Sequence, residues 1–372
     1  MARIELIEQH LIYDNPIPHV RSRHGYFPGL VQLPSGELLA LFMIAEAFEA
    51  PNGTTWISRS SDEGRTWKLQ GPLYDKTAVG FETSDSMKAT VLDDGTLIAC
   101  GYRFHRHDPE SPISIPAPGG ILPGDDIVSF SKDDGRTWTF PAIIERSRPE
   151  LLEISGPCIQ TRSGDLLAVA ANYPLPDGTA PSGHAGVLLR SRDRGLTWED
   201  RTIYFRDPVL PITPYEPRVT EMRDGRLVAM VWAYDATAGV HHTNRVVVSH
   251  DGGYQWSAPI DTGHLGQASS LTALDDNLLL SIHAHRGDDP GIFVRLVDFS
   301  DDRWRPLAET VIFGAAAGRQ TAAGQSSSQM FKSLRFGQPS VIRLQSGDFL
   351  AAHWCIEEGQ GKIRAHRLRV EF

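Results

Sequence analysis

The sequence lacks several features that assign a chain to common protein classes. It has no basic run and no stripe of basic and aromatic residues, and its formal net charge is −10, so we expect no nucleic-acid partner. No apolar run is long enough to span a bilayer, and residues 1–8 lack the apolar core and cleavage site of a signal peptide. We therefore expect a cytoplasmic protein that binds no membrane.

Cysteines and clustered metal ligands are also few. The three cysteines, Cys100, Cys158 and Cys355, are far apart in the sequence, which predicts buried free thiols rather than disulfides. His283 and His285 share one face of a predicted strand, but no third metal ligand is evident. We expect neither a metal nor another cofactor.

What the sequence does contain is an eight-residue pattern, Ser-x-Asp-x-Gly-x-Thr-Trp, that recurs along the chain. The copies begin at Ser60, Ser131, Ser191 and Ser249, and the last has Gln255 in place of Thr. A short carboxylate accepts hydrogen bonds from nearby hydroxyl and N–H groups, glycine takes a positive φ, and tryptophan packs as an apolar peg. The pattern therefore predicts four tight turns that fold the chain and take no part in catalysis.

These turns resemble the Asp boxes of the sialidase superfamily, which lie between the outer strands of β-propeller blades. Six further hairpin turns alternate with them, each flanked by short apolar runs rich in β-formers. The six turns are Ser35-Gly36-Glu37, Asp94-Gly95-Thr96, Ser163-Gly164-Asp165, Asp224-Gly225-Arg226, Asp276-Asn277-Leu278 and Ser346-Gly347-Asp348. Because no composition shift marks a second domain, we expect one all-β domain over residues 1–372, a six-bladed β-propeller of sialidase type.

The last blade is one strand short. After its hairpin the chain has only Lys362 to Phe372 left, which is enough for a third strand. The segment from Ile4 to Tyr13 precedes the first blade and has no partner there. We predict that it closes the ring as the fourth strand of blade six, so that no sheet edge stays open.

Alternate turns of an up-and-down blade lie on opposite faces. The hairpin turns and the boxes then share one face, and the long irregular segments share the other, where a rigid scaffold presents its binding loops. The long segments are His105 to Asp125, Pro174 to His184, Asp235 to Thr243 and Gly314 to Gly337. Polar residues at strand ends on that face should converge on the axis. From these ends we predict substrate-binding roles for Tyr26, Glu82, Arg103, His105, Tyr234, His285, Arg286 and Gln338.

Compared with sialidases, the chain keeps one catalytic position. Glu216 stands where the family has the Glu that pairs with its Tyr nucleophile, but Gln338 occupies the position of that Tyr. Tyr26 replaces one arginine of the carboxylate clamp, and Ala233 or Tyr234 replaces another. The segment from Ala45 to Asn52 has no recognisable equivalent of the acid/base Asp. The comparison predicts poor hydrolysis of sialosides, or none.

An exo-acting arabinanase branch of the superfamily uses two Glu residues, and Glu153 with Glu216 in adjacent blades is similar to that arrangement. One carboxylic acid protonates the leaving oxygen while the other attacks the anomeric carbon or activates water. The sequence thus favours an exo-acting glycoside hydrolase with catalytic Glu153 and Glu216, acting on a non-sialic or acidic sugar. Arg103 and Arg286 could bind an acidic sugar, although ordinary surface ion pairs explain them equally well.

Two alternatives stay open. The chain could be a carbohydrate-binding propeller without catalysis, which would have an aromatic pocket and no converging carboxylates. It could also be a polysaccharide lyase that uses Tyr26, Tyr173 or Tyr234 with His285. The sequence decides neither the sugar nor the oligomeric state.

Overall fold

The protein is described by a computed structural model that covers residues 2–314 and 327–372. In chain order, β1 (Arg3–Tyr13) comes first. Blade one contains β2 (His24–Gln32), β3 (Leu38–Ala45), β4 (Thr54–Ser60) and β5 (Lys68–Pro72). Blade two contains β6 (Thr83–Val91), β7 (Leu97–His105), β8 (Gly124–Ser131) and β9 (Ala142–Ile143). Blade three contains β10 (Leu152–Glu153), β11 (Ile159–Gln160), β12 (Leu166–Asn172), β13 (Gly186–Ser191) and β14 (Glu199–Phe205).

The second half repeats the same plan. Blade four contains β15 (Ile212–Glu221), β16 (Leu227–Asp235), β17 (Val240–His241), β18 (Arg245–Ser249) and β19 (Ile260–Asp261). Blade five contains β20 (Ser269–Ala273), β21 (Leu278–His285), β22 (Gly291–Asp298) and β23 (Arg305–Gly314). Blade six contains β24 (Phe336–Arg343), β25 (Phe349–Glu357) and β26 (Gln360–Glu371).

Six antiparallel sheets form a ring, which confirms the predicted six-bladed propeller. The first strand of a blade lies innermost: β2 contacts β6 and β24, and β20 contacts β15 and β24. Apolar side chains from facing blades fill the space between the sheets, as Leu39 of blade one and Leu97 of blade two do in one shared cluster. The core is therefore a ring of inter-blade layers.

Strand β1 closes the ring. It pairs antiparallel with β26 in a register that runs from Arg3 opposite Glu371 to Tyr13 opposite Ile363. An ion pair of 3.0 Å between Arg3 and Glu371 lies at one end of this ladder. The predicted use of the N-terminal strand to complete blade six is confirmed.

The repeated pattern forms the turn that its residues predict. In the copy that begins at Ser131, Asp133 accepts hydrogen bonds from the Ser131 hydroxyl at 2.8 Å, from the Thr137 N–H at 2.9 Å and from the Thr137 hydroxyl at 2.6 Å. Gly135 has a φ of 75°, and the Trp138 indole donates to its carbonyl at 3.2 Å. Trp138 packs against the apolar layer between blades one and two.

The six hairpin turns are expected to have a positive φ, and five blades follow this expectation while one departs from it. The central glycines of blades one to four and of blade six have positive φ; these are Gly36, Gly95, Gly164, Gly225 and Gly347. In blade five no residue of the turn at 275–277 has a positive φ. There the Asp275 carboxylate accepts hydrogen bonds from the N–H groups of Asn277 and Leu278 and holds the turn in place of a glycine.

Helices are minor elements. A 3₁₀ turn spans Lys76–Val79, and the short helix α1 spans Ser327–Phe331. No helix in the described part of the chain is long and apolar enough to cross a membrane. The predicted long segment from Gly314 to Gly337 falls partly outside the described residues.

Candidate functional site

A cavity of about 110 Å³ lies at the centre of the ring. It is reached by the starts of innermost strands, by the ends of the strands next to them and by the β3–β4 and β7–β8 loops, so it opens on the face predicted to carry the site. Its described lining residues are Phe27, Met43, Phe48, Glu49, Ser84, Asp85, Ser86, Tyr102, Phe104, Ile113, Ile121, Glu153, Tyr173, Tyr215, Glu216, Trp232, Met330, Phe331 and Gln338. Aromatic rings and acidic side chains dominate this lining.

Three of the lining side chains project from strained positions on innermost strands. The residues are Phe27, Glu216 and Gln338, with φ of 54°, 46° and 35°. Each one directly precedes a proline, and the pairing register with the next strand shifts at each. A bulge redirects a side chain, and a positive φ outside glycine costs about 1–3 kcal/mol, so such positions persist where the surrounding fold enforces them. Here the fold enforces them at the cavity.

Glu153 and Glu216 form a coupled pair of carboxylates. The Glu153 carboxylate accepts a hydrogen bond from the backbone N–H of Glu216 at 2.9 Å, across the boundary between blades three and four. Burial, together with the negative charge of Glu216, raises the pKa of Glu153 well above its usual range. Burial also raises the pKa of Glu216, but the positive charges of Arg286 and Arg218 oppose that rise. The pKa of Glu153 is raised the more strongly of the two, so Glu153 is the carboxyl that keeps its proton to higher pH.

Gln338 is the third polar residue of this group. Its side-chain amide donates to the Glu216 carboxylate at 3.0 Å, which connects blade six with blade four across the axis. Gln338 is 3% exposed, yet its carbonyl oxygen Oε1 has no hydrogen-bond partner among the described residues. The second oxygen of Glu216, Oε2, is also buried without a partner there. Two residues that line the cavity therefore each carry an unsatisfied acceptor.

Buried cations lie behind the carboxylates without lining the cavity. The Lys88 ammonium donates to the Ser86 hydroxyl at 2.8 Å, and the Arg218 guanidinium donates to the Ser155 hydroxyl at 3.0 Å. Desolvation and the nearby charge of Arg218 lower the pKa of Lys88 to about 7, although Glu216 and Asp85 oppose this effect. A Cβ at Gly29 would come within 2.5 Å of the Lys88 side chain, so glycine provides the space for that lysine.

Asp85 and Glu49 also line the cavity, but in different states. Asp85 accepts hydrogen bonds from Thr54, Thr55 and the Tyr74 hydroxyl, all at 2.6–3.0 Å, so its carboxylate is fully engaged in holding blade one to blade two. Glu49 accepts one bond from the Ser114 N–H at 3.0 Å, and burial raises its pKa. Glu49 belongs to the segment from Ala45 to Asn52, in which the sequence showed no recognisable equivalent of the acid/base Asp.

Of the predicted site residues, Glu153, Glu216 and Gln338 meet at the cavity, and the others lie outside its lining. Tyr26 is buried against Phe48 and Trp354, with ring centroids 5.3 Å apart in each pair, and desolvation raises its pKa. Its neighbour Phe27 reaches the cavity instead.

The basic candidates of blade two form their own pairs. Arg103 donates to the Asp125 carboxylate at 2.8 Å, and His105 lies 3.1 Å from the same oxygen. Glu82 is exposed and pairs with Lys76. These residues therefore form ordinary ion pairs with neighbouring side chains and do not line the cavity.

The remaining candidates lie in blades four and five. Tyr234 is buried, with its ring centroid 4.8 Å from that of His241. His285 contacts the backbone carbonyls of Leu265 and Asp288 at 3.1 and 2.7 Å and does not approach Tyr173, the tyrosine of the lyase alternative that lines the cavity. Arg286 is buried and donates to the Phe336 carbonyl at 3.1 Å, and it acts on Glu216 through charge.

Sequence reasoning missed Lys88, Arg218, Glu49 and most of the aromatic wall. One signal would have found the cations: Lys88 and Arg218 each stand seven residues before the glycine of their hairpin turn. Glu216 and Gln338 each stand nine residues before theirs. Residues at equal distance from their turns lie at about the same height along the propeller axis. The aromatic wall has no such signal, because Phe48 and Tyr173 come from loops and Phe331 from α1.

The fold and site together define a class: a six-bladed β-propeller with a buried and a half-buried carboxyl group side by side in an aromatic-lined axial cavity. The described residues include no group of three or more His, Cys, Asp or Glu side chains that could hold a metal ion. The pair of carboxylates, whose pKa values are both raised, is the candidate catalytic group of the described part of the cavity.

Several solved structures share this fold. One is a protein of unknown function from Dyadobacter fermentans, with a TM-score of 0.77 and 22% identity over 99% of both chains. Another is the Penicillium chrysogenum alpha-L-arabinanase in complex with arabinobiose, with a TM-score of 0.64 and 15% identity over 98% of both chains.

A third is the Hadza microbial sialidase Hz136, with a TM-score of 0.64 and 16% identity over 92% of this chain. The chain spans 65% of the length of that sialidase. No protein-family model matches the sequence, and no curated protein matches it either. At these identities the likeness establishes the fold.

Proposed function

We propose that this protein is an exo-acting glycoside hydrolase that uses Glu153 and Glu216 as its pair of catalytic carboxylates. The observation that carries the proposal is the pair itself, held by the 2.9 Å bond between Glu153 and the Glu216 N–H at the floor of an aromatic-lined cavity. Two carboxyl groups of different ionisation are the minimal equipment for cleaving a glycosidic bond.

The surroundings suggest a role for each carboxyl. Glu153, with its raised pKa, is the general acid that protonates the leaving oxygen. Glu216, whose pKa is raised less because Arg286, Arg218 and the Gln338 amide oppose the effect of burial, attacks the anomeric carbon or takes a proton from water. Proton delivery and base or nucleophile action would thus come from adjacent blades.

The cavity shape favours a chain end over the middle of a chain. Phe48 and Phe331, whose ring centroids are 5.2 Å apart, both line it, and its volume of about 110 Å³ suits a single sugar unit. Proteins with the same fold carry the names sialidase and alpha-L-arabinanase, which supports a glycoside as the substrate. No arginine stands among the described lining residues, so we expect sialosides to be poor substrates.

A panel of aryl glycosides tests the proposal. Wild-type protein should release the aryl group from at least one of them, and Glu216→Gln should lower kcat about 10²–10⁴-fold while sugar binding persists. Glu221→Gln is a matched control, because Glu221 lies at the other end of the same strand, where it accepts a bond from the Arg162 N–H. Near-normal turnover by Glu216→Gln would contradict the two-carboxylate mechanism.

A further inference from the structure

Three residues that line the cavity each carry a buried oxygen that lacks a hydrogen-bond partner among the described residues. They are Gln338 Oε1, Glu216 Oε2 and Ser84 Oγ. Buried polar atoms in folded proteins are almost always paired, and an unpaired one costs about 1–3 kcal/mol. A ligand that enters this cavity and displaces solvent must therefore bring groups that satisfy these atoms.

The chemistry of the unpaired atoms specifies what the ligand must supply. The donation from Gln338 Nε2 to Glu216 fixes the orientation of the amide, so the atom left toward the cavity is the carbonyl oxygen, which only accepts. Glu216 Oε2 also only accepts when ionised, whereas the Ser84 hydroxyl can donate or accept. Two neighbouring acceptors call for donor hydroxyls on the ligand.

The rest of the lining agrees with an uncharged ligand. The described lining residues include Glu49, Asp85, Glu153 and Glu216 but no lysine, arginine or histidine. A carboxylate placed there would meet like charges and unpaired acceptors, whereas the aromatic rings offer flat faces to the C–H surface of a sugar. Gln338 also keeps a φ of 35°, and backbone strain of this kind clusters at ligand contacts.

We infer that the ligand is a neutral sugar unit, and that Gln338 determines specificity by accepting a hydrogen bond from one of its hydroxyl groups. The inference rests on the proposed glycoside hydrolase function and narrows its substrate to neutral sugars. It excludes uronic and sialic acids as preferred substrates. It also gives Gln338 two separable contacts, a donor to Glu216 and an acceptor for the ligand.

Two variants separate the contacts. Gln338→Met keeps the side-chain length and removes both contacts, while Gln338→Glu keeps an acceptor oxygen for the hydroxyl and loses the donor to Glu216. The substrates are neutral aryl glycosides, their matched aryl uronides and the monodeoxy analogues of the best glycoside. Gln70→Met, on the exposed outer strand of blade one, is the control substitution.

Wild-type protein should prefer the neutral glycoside over its uronide by about tenfold or more in kcat/KM, and should discriminate against one monodeoxy analogue by a similar factor. That discrimination should disappear in Gln338→Met and persist in Gln338→Glu and Gln70→Met. A preference for the uronide, or unchanged discrimination in Gln338→Met, would overturn the inference.

The function and the inference fail in different ways. If no glycoside is hydrolysed, the proposed reaction is wrong, and calorimetric titration with neutral monosaccharides and with uronic acids then tests Gln338 alone. Tighter binding of a neutral sugar that weakens about tenfold in Gln338→Met supports the inference. The inference is overturned if uronic acids bind more tightly than neutral sugars, or if neither class binds. It is also overturned if Gln338→Met does not change the affinity for the neutral sugar.

Discussion

The two faces of the propeller treat their carboxylates in opposite ways. At the box turns, Asp62 and Asp133 lie near solvent, each accepts bonds from a serine hydroxyl and from a threonine hydroxyl and N–H, and the threonine bonds lower both pKa values to about 2. At the cavity, Glu153 is buried, its carboxyl accepts a hydrogen bond from the Glu216 N–H, and its pKa rises. The same functional group is made strongly acidic at one end and weakly acidic at the other.

The difference shows how to separate structural from functional carboxylates in a repeat fold. A carboxylate surrounded by donors stays ionised and stabilises a turn, and the chain repeats it wherever that turn recurs. A buried carboxylate with few donors costs stability, so it is retained only where it does something else. Asp85 belongs with the first group although it lines the cavity, because four donors engage it.

The largest expected effect is the loss of activity when the cavity carboxyl of Glu153 is replaced. If Glu153 is the general acid, Glu153→Gln should lower kcat/KM about 10²–10⁴-fold for glycosides with poor leaving groups. The loss should be much smaller for a dinitrophenyl glycoside, because that leaving group departs without protonation. Steady-state rates over a leaving-group series measure this, with Glu199→Gln on an outer strand as control. If kcat/KM falls equally for all leaving groups, Glu153 is not the general acid.

The second effect concerns stability at the opposite end. Asp133→Ala should lower the free energy of unfolding by about 1–3 kcal/mol and leave kcat unchanged, because it strips the donors of one turn of their acceptor. Asp251→Ala should cost less, since Gln255 replaces the threonine and Asp251 has no side-chain bond from that position. Denaturant unfolding and kcat, measured on the same samples, test both expectations. A large loss of turnover in folded Asp133→Ala would show that the active site has been assigned to the wrong end of the blades.

The smallest effect is a shift in pH dependence. Lys88 faces Arg218, Glu216 and Asp85, and its positive charge below about pH 7 favours the ionised form of Glu216. Lys88→Met removes that charge, so the pKa of Glu216 should rise and the acidic limb of the kcat/KM profile should move to higher pH. An unmoved limb in the folded variant would show that Lys88 does not act on Glu216.

The same substitution has a signature in stability. The pKa of Lys88 is about 7 when folded and near 10.4 when unfolded, so the unfolded chain binds more protons between those values. Wild-type stability should therefore gain a component that rises with pH through this window. Lys88→Met should lack that component, which unfolding titrations at several pH values can detect.

Much of the fold was predictable because local chemistry repeats. Ser131, Asp133, Gly135 and Trp138 form their turn within eight residues, and each copy marks one blade without reference to distant parts of the chain. Strand β1 was predictable by elimination, since blade six lacked a strand. Such inferences need only neighbouring residues and the alternation of turns.

The site was predictable only in part. Glu153, Glu216 and Gln338 lie at strand ends that a regular blade directs toward the axis. Arg103 also lies at a strand end, but the nearby carboxylate of Asp125 captures it, and sequence spacing does not reveal such a competition. Glu49 and Phe331 approach from loops and from α1, whose paths depend on packing across several blades.

The β1–β26 pairing has a consequence for how the ring is made. Strand β1 leaves the ribosome almost the whole chain ahead of its partner β26, so its backbone groups stay unpaired while five blades form. Contacts between such distant segments form slowly, and an unpaired strand edge invites association between molecules. Arg3, Glu5 and Glu8 place charges along β1, which discourages premature pairing with other chains. Because β1 pairs with β26, the last strand of the chain, we expect the ring to close only after β26 has been synthesised.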